Sequence, residues 1–298
     1  DRCIGCGLCF LSCTPSAIEY RNSVDGVRAL LKSGRRTAAL VAPSIASEFD
    51  DITDYRKFVG MIRKLGFTYV HEVSFGVDLV AYAYRKLFEE SSGKYYITSN
   101  CPSIVEMIEK YRPHLVSNLA PLVSPMVATA MVTRDLYGGE VANVFIGPCI
   151  DSKAEAALYS SKKLIEGVLT FIEIRKMFSE DNIQEKGVKM AEFDPPYGNW
   201  GALYPYPAGI LQAAGIKRDL VSSHVITASG AEDIREAIND FDHHIDTIRH
   251  HFNLFFCNGC MLGPGMVRHD ERFRRRSLVK QYAEKRVETL DKKEWEKN

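Results

Sequence analysis

The chain has 298 residues, of which 46% are hydrophobic and 26% are charged, a composition typical of a globular protein with a sizeable core. The 38 lysine and arginine residues balance the 38 aspartate and glutamate residues, so net charge favours neither nucleic acid nor an anionic membrane as a partner. No apolar stretch reaches the roughly 18–20 residues that a membrane-spanning helix needs.

A short cysteine-rich module opens the chain. "CIGCGLCFLSCTP" places Cys3, Cys6, Cys9 and Cys13 in a C-x2-C-x2-C-x3-C-x-P pattern, which is typical of bacterial [4Fe–4S] ferredoxins. We therefore predict a ferredoxin-like [4Fe–4S] module over residues 1–22, in preference to a zinc site. In two-cluster ferredoxins the fourth cysteine of a run binds the other cluster. Cys13 therefore either completes this cluster or serves one upstream of Asp1, because a sequence without an initial Met reads as a fragment.

The remaining sequence alternates between strand and helix patterns. An amphipathic stretch in residues 23–34 comes first. Strands are predicted in 36–43, 68–75, 94–100 and 141–148, and helices in 52–67, 78–91, 102–113 and 123–138. Residues 168–182 are ambiguous, and a strand in 223–229, a helix in 231–241 and a strand in 250–256 follow. This alternation predicts an α/β fold with mostly parallel sheets over residues 36–275. Residues 276–298 read as a charged helical linker.

Four more cysteines are dispersed, but each follows a predicted strand. They are Cys101 in "TSNCP", Cys149 in "FIGPC", and Cys257 and Cys260 in "FFCNGCMLGPG". Ligands of open α/β sheets bind at the carboxyl ends of the strands. Four thiolates at that edge are what a second [4Fe–4S] cluster needs, so we predict one there. Clustered cysteines without a recognisable secretion signal also indicate a reducing compartment, and we expect a cytoplasmic protein.

The segments "TSNCP", "GPCIDSKAEA" and "CNGCMLGPG" resemble, in this order, the three signature segments of [FeFe]-hydrogenase catalytic domains. The resemblance covers nearly the whole chain and implies two α/β lobes that enclose an H-cluster. That cofactor is a [4Fe–4S] cube joined through one cysteine sulfur to a two-iron subsite with CO and cyanide ligands. It interconverts H₂ with two protons and two electrons. By the resemblance, Cys101, Cys149, Cys257 and Cys260 bind the cube, and Cys260 bridges to the two-iron subsite.

Two further loops resemble those that contact the two-iron subsite in this family. "VAPS" supplies Ala42, Pro43 and Ser44, and "VSP" supplies Ser124 and Pro125. The resemblance implies that these residues surround the cofactor.

The proton-relay positions differ from those of the prototypical enzymes. Asn100 stands where those enzymes carry a relay cysteine, and an amide does not ionise near neutral pH. Tyr84 and Leu87 align with the relay glutamates, and Ala120 with the relay serine. Since acid–base relay contributes about 10²–10⁴-fold to rate, its loss predicts slow turnover.

The second and third segments also depart from the prototypes. Ser152 occupies the place of a lysine that donates to a cyanide, and Lys153 lies one residue later, rotated by about 100° on a helix. The last segment has C-x2-C instead of C-x3-C. These features resemble the sensory branch of the family.

Three functional hypotheses follow. The first is a slow, H₂-sensing hydrogenase that exchanges electrons with a carrier or signals to a downstream domain. The second is an ordinary hydrogenase with another proton route. The third is a non-enzymatic iron–sulfur protein of hydrogenase ancestry, which serves cluster assembly or electron transfer.

Overall fold

The structure is a computed structural model that describes residues 2–15, 17–217, 219 and 221–296. The first residue of the predicted N-terminal module, its Ser16, and the last two residues of the predicted linker lie outside this description. Among the residues that are described, no helix is long and apolar enough to cross a membrane.

The chain alternates between strands and helices as the sequence predicts. The strands are β1 (Thr37–Val41), β2 (Tyr69–Glu72), β3 (Ala142–Gly147), β4 (Gly167–Thr170), β5 (Val225–Ser229) and β6 (His251–Phe255). The α-helices are α1 (Leu8–Ser12), α2 (Val24–Lys32), α3 (Ile45–Glu48), α4 (Tyr55–Lys64), α5 (Ser74–Glu89), α6 (Pro102–Tyr111), α7 (Pro125–Tyr137), α8 (Ser152–Leu158), α9 (Phe171–Glu180), α10 (Gly209–Ala213), α11 (Ala231–Ile248), α12 (Arg272–Glu288) and α13 (Lys292–Trp295).

The first lobe is built on a four-stranded parallel sheet with the order β2-β1-β3-β4. In its register Ala38 pairs with Tyr69 on one side and with Asn143 on the other. All residues of β1 and β3 are buried, because helices cover both faces, and this explains their continuous apolar sequences. The carboxyl ends of β1 and β3 therefore lie side by side.

The second lobe is smaller and has its own core. β5 and β6 pair in parallel, and α6 and α11 contribute buried isoleucines to the core beneath them. The strand predicted in residues 94–100 is reduced to a single position, Ile97, which bridges Phe252 and Leu119. The two α/β lobes that the sequence predicts are thus confirmed.

The C-terminal helix α12 differs from the predicted solvated linker. It begins at Arg272, so the boundary placed between residues 275 and 276 falls inside it. Arg275, Val279, Tyr282 and Arg286 recur at helical spacing and are all buried on one face. The Arg275 guanidinium donates to the Ser47 carbonyl at 2.9 Å. Charge alone made this segment read as exposed, whereas buried polar partners let its arginines pack inside.

The N-terminal module has little regular structure of its own. Within the described part of residues 2–22 there is the five-residue helix α1 and no strand, so this segment does not form a ferredoxin fold by itself. It is attached to the second lobe through α6, where Lys110 donates to the Cys3 carbonyl and Tyr111 donates to the Arg2 carbonyl at 2.6 Å.

Candidate metal centre

A cavity of about 70 Å³ lies between the two lobes, and all four dispersed cysteines line it. Cys149 is two residues past β3, Cys257 is two residues past β6, and Cys101 caps the N-terminus of α6, with Pro102 at the first helical position. Cys260 begins a 3₁₀ turn directly after Gly259. The parallel sheets therefore bring the four thiols to one place from sequence positions up to 159 residues apart (260 − 101).

The four thiols are close enough to influence one another. Burial raises the pKa of Cys101 to about 11 and that of Cys257 to about 12, with repulsion from Cys101 adding to the shift at Cys257. The pKa values of Cys149 and Cys260 are raised well above the usual range, first by burial and then by the neighbouring cysteines and, at Cys149, by Asp151. Thiols of this kind become thiolates only when metal binding compensates the charge.

The spacing of these thiols is not that of a single-metal site. Sulfurs around one zinc ion lie about 4 Å apart, given Zn–S bonds of about 2.3 Å in a tetrahedron. No three Cys, His, Asp or Glu side chains come together in that way among the residues described. Four cysteines that line one cavity suit a polynuclear cluster, in which each thiolate binds a different iron.

The loops predicted to contact a two-iron subsite line the same cavity. Ala42, Pro43 and Ser44 follow β1. Ser124 and Pro125 begin α7, where the Ser124 hydroxyl accepts a hydrogen bond from the Val127 amide at 3.3 Å. Each loop therefore directs small polar groups and rigid backbone at the cavity.

Asn100 lines the cavity with an amide that has no partner. It is 2% exposed, and neither its Oδ1 nor its Nδ2 has a hydrogen-bond partner within the described part of the chain. Its backbone carbonyl accepts from the Tyr204 hydroxyl at 2.7 Å, which fixes its position. A buried amide left unpaired costs about 1–3 kcal/mol, so its polar atoms indicate that something polar is held beside it.

The other former relay positions offer no mobile proton. Tyr84 is buried in α5, where its hydroxyl accepts from the Ser99 amide at 2.8 Å, and burial raises its pKa to about 12. Ala120 is buried and apolar, and Leu87 packs against the core.

Of the two residues weighed as cyanide donors, only Ser152 lines the cavity. Lys153 is turned away from it, because its ammonium donates to Glu173 at 2.9 Å, to the Val168 carbonyl at 2.9 Å and to Ser23 at 2.6 Å. The rotation that the sequence predicts for Lys153 is therefore what the structure has, and no cation lines this cavity in the described residues.

Sequence reasoning missed Glu155, which also lines the cavity. Its carboxylate accepts a hydrogen bond from Ser124, and burial raises its pKa to about 7. The signal was its position one turn after Ser152 on α8, which puts both on the same face of that helix.

The N-terminal module touches the edge of the cavity. Gly5 and Cys6 are among the residues that line it. Gly5 has a positive φ of 65° and lies so close to Asp151 that a Cβ atom there would come within 1.8 Å of the carboxylate. Gly7 also has a positive φ, of 76°, and a Cβ atom there would come within 2.5 Å of the Pro264 ring. Glycine is required at both positions, and the first cysteine cluster is held directly beside the second.

Comparison with known proteins agrees with this arrangement. Residues 35–264 match the family model described as "Iron only hydrogenase large subunit, C-terminal domain". The NADP-reducing hydrogenase subunit HndD of Solidesulfovibrio fructosivorans is 23% identical over 266 residues, which is 78% of this chain and 46% of that protein. The cytosolic Fe-S cluster assembly factor NAR1 of Candida dubliniensis is 23% identical over 173 residues, or 52% of this chain and 30% of that protein.

Solved structures share the fold. One [FeFe]-hydrogenase, studied for oxygen damage to the 2Fe subcluster of its H cluster, superimposes with a TM-score of 0.69 at 18% identity and covers 86% of this chain and 88% of its own. A variant of the [FeFe]-hydrogenase HydA1 from Chlamydomonas reinhardtii superimposes with a TM-score of 0.68 at 17% identity. The match covers 91% of this chain and 90% of that one. The chain spans less than half the length of the curated relatives it matches. The matched residues and the fold together show that this chain belongs to the iron-only hydrogenase large-subunit family.

Proposed function

We propose that the chain is a two-cluster iron–sulfur protein whose central cluster is an H-cluster that reacts slowly with H₂. The observation that carries the proposal is the convergence of Cys101, Cys149, Cys257 and Cys260 on one cavity between the lobes. These four thiolates would hold a [4Fe–4S] cube, and Cys260, by its place in the third segment, would be the bridging ligand.

The residues around the cavity suit most of a two-iron subsite. Pro43 and Ser124 supply small surfaces, Ser44 and Ser152 supply hydroxyl donors, and the unpaired amide of Asn100 supplies one more donor. When bound, the subsite would supply the metal centre at which H₂ and protons interconvert. Apart from the Cys260 bridge, the protein would hold that group by hydrogen bonds, since the charged donor of the prototypes is absent here.

The protein's own groups explain why turnover would be slow. The relay positions carry Asn100, which does not ionise, Tyr84, whose pKa is raised to about 12, and the apolar Leu87 and Ala120. A slow hydrogenase suits sensing better than bulk H₂ metabolism, because a sensor needs binding and a change of redox state rather than flux.

Electrons would enter through the N-terminal module. Cys3, Cys6, Cys9 and Cys13 would hold a [4Fe–4S] cluster, which would lie next to the cavity because Gly5 and Cys6 line it. Its partner would be an electron carrier or a signalling domain. All eight cysteines are free of disulfides, which suits a reducing compartment such as the cytoplasm.

An exchange assay tests this function. The protein is matured anaerobically with a synthetic two-iron precursor and incubated with D₂ in ordinary water. We expect slow formation of HD that depends on the precursor, at a rate at least 100-fold below that of a matured prototypical hydrogenase. HD formation no greater than in the protein without precursor would contradict the proposal.

A second function is favoured by one specific observation. Lys153 is bound to Glu173, and no other cation lines the cavity in the part of the chain that the structure describes. A protein with cubes alone, acting in cluster assembly or electron transfer, would bind iron and sulfide normally but retain no precursor.

A further inference from the structure

The cavity lining contains one carboxylate, that of Glu155. Glu155 is the only Asp, Glu, Lys, Arg or His side chain among the described residues that line it. It projects from α8, six residues after Cys149; part of the residue is exposed, whereas its carboxyl group is enclosed by protein. It therefore lies between the cavity and the protein surface.

The surroundings of Glu155 hold it without neutralising it. The Ser124 hydroxyl accepts from the Val127 amide and donates its own proton to the Glu155 carboxylate. No cation pairs with Glu155 in the described part of the chain. The titratable groups that face it are Asp151, the N-cap of α8, and two tyrosines, Tyr159 and Tyr204, whose own pKa values its charge helps to raise.

The neighbouring acid cannot serve in its place. Asp151 accepts a hydrogen bond from Ser103 at 3.0 Å and lies beneath Gly5, and it is absent from the cavity lining. Asn100 and Tyr84 do not ionise near neutral pH. Glu155 is thus the one acid that both reaches the cavity and can exchange a proton with water.

We propose that Glu155 carries protons between solvent and the cluster cavity, and so replaces the relay that Asn100 interrupts. This inference rests on the proposed function for the reaction with H₂, but its proton uptake needs only the cube. A low-potential one-electron donor supplies an electron to the cluster while the Glu155 carboxylate takes one proton from water, which leaves the charge inside the cavity unchanged. On reoxidation the electron returns to an acceptor and the proton to solvent.

The protonation behaviour of the side chain supports this role. Burial raises the Glu155 pKa to about 7 before any electron arrives. An added negative charge in the cavity raises it further, so reduction above about pH 7 takes up a proton. The reduction potential of the central cluster should therefore fall with pH from about pH 7 upward, by at most about 59 mV for each tenfold drop in proton concentration.

Potentiometric titration of the protein with its iron–sulfur clusters, from pH 6 to pH 9 and without the two-iron precursor, tests the proposal. We compare the wild type with Glu155→Gln, which removes the ionisation and keeps the shape, and with Glu155→Asp. The matched control is Glu109→Gln, an exposed carboxylate on α6. We expect a pH-dependent potential in the wild type and the control, a flat potential in Glu155→Gln, and partial recovery in Glu155→Asp.

The outcomes separate the two proposals. A pH slope that persists in Glu155→Gln, or a wild-type potential that does not change with pH, would overturn the role of Glu155 and leave the cluster assignment intact. Failure of the wild type to assemble a second cluster would instead overturn the proposed function. In the fully matured protein, Glu155→Gln should slow HD formation at least tenfold, whereas Glu109→Gln should not change it.

Discussion

At the scale of single residues, the cavity carries different polar side chains from those of the prototypical enzymes. The prototypes of the family carry a thiol and a lysine where this chain has Asn100 and Ser152. The carboxylate of Glu155 is therefore left without a cation beside the cluster site. If the proposed H-cluster is bound, these groups suit slow proton exchange better than rapid turnover.

The unpaired amide of Asn100 has a measurable consequence. Substituting Asn100→Ala removes two buried polar atoms that lack partners, so the cofactor-free protein should become more stable to unfolding by about 1–2 kcal/mol. Chemical denaturation of the metal-free protein measures this change. A loss of stability would show that the amide is satisfied in the folded chain, and Ser99→Ala, which removes a paired hydroxyl, provides the contrast.

Iron content tests the separation of the two cysteine sets. Cys101→Ala should reduce the iron bound per reconstituted chain from about eight atoms to about four, because it removes a ligand from the central cube alone. Cys9→Ala should cause the same loss at the other cluster and leave the central one. Both forms are measured by iron analysis and electron paramagnetic resonance. Equal spectra from the two variants would contradict two separate sites.

At the scale of secondary-structure elements, α8 is held in place by one buried ion pair. Lys153 and Glu173 are 10% and 2% exposed, and Glu173 also closes the capping box of α9 with Thr170. This pair explains why Lys153 points away from the cavity, and it fixes the helix that presents Ser152 and Glu155. The orientation of the site therefore depends on a contact outside it.

Breaking this pair should be costly. Lys153→Met leaves the Glu173 carboxylate buried without its cation, and we expect a loss of about 3–5 kcal/mol in the free energy of unfolding. Adding Glu173→Gln removes the uncompensated charge, so the double variant should recover much of that loss. Urea denaturation of the three proteins tests this. A single variant within about 1 kcal/mol of the wild type would mean that the pair does not anchor α8.

The sequence predicts the elements whose burial is visible in the local spacing of apolar residues. β1 and β3 are largely apolar runs, α4 carries an apolar stripe, and α7 is an apolar segment that begins with a proline, so all four are predicted correctly. The strand expected in residues 94–100 contracts to Ile97, because its neighbours pair with it at one position only. The sequence predicts a charged helical linker in residues 276–298, and nothing local reveals that Glu72, more than 200 residues away, accepts a hydrogen bond from Tyr282 in this helix.

In the candidate site, too, some residues can be predicted from local sequence and others cannot. Cysteines at strand ends could be found from sequence, because parallel topology alone brings strand ends together. Glu155 is harder to find, because a glutamate in "KAEAAL" reads as a solvent-facing position and only its spacing from Ser152 indicates otherwise. It faces the cavity through Ser124, which lies 31 residues earlier (155 − 124).

At the scale of the whole molecule, buried titratable groups make stability depend on pH. Burial lowers the pKa of His71 and His251 to about 4, so each binds a proton in the unfolded chain before it does in the folded one. Their contribution to stability is present above about pH 6.5 and is lost as pH falls toward 4. Asp78 and Glu155, with pKa values raised to about 7, bind protons in the folded state first and act in the opposite direction.

The histidine contribution can be isolated by difference. Between pH 6 and pH 5, His71 should remove about 1.2 kcal/mol of stability, and His71→Phe should abolish that part. The Phe ring also fits the site beside Tyr69 and Tyr137, where His71 Nε2 has no partner in the described residues. Denaturation of both proteins at the two pH values measures the difference. The same pH dependence in both would show that His71 is protonated when folded.

The most direct test of the central claim is the infrared spectrum of the protein after anaerobic maturation with a synthetic two-iron precursor. If Cys101, Cys149, Cys257 and Cys260 hold a cube with a two-iron subsite beside it, sharp bands of metal-bound CO and cyanide should remain after gel filtration and shift when H₂ is admitted. Cys260→Ala should lose them. A spectrum without these bands, in a protein whose iron–sulfur absorbance is intact, would contradict the H-cluster and identify a protein that carries cubes alone.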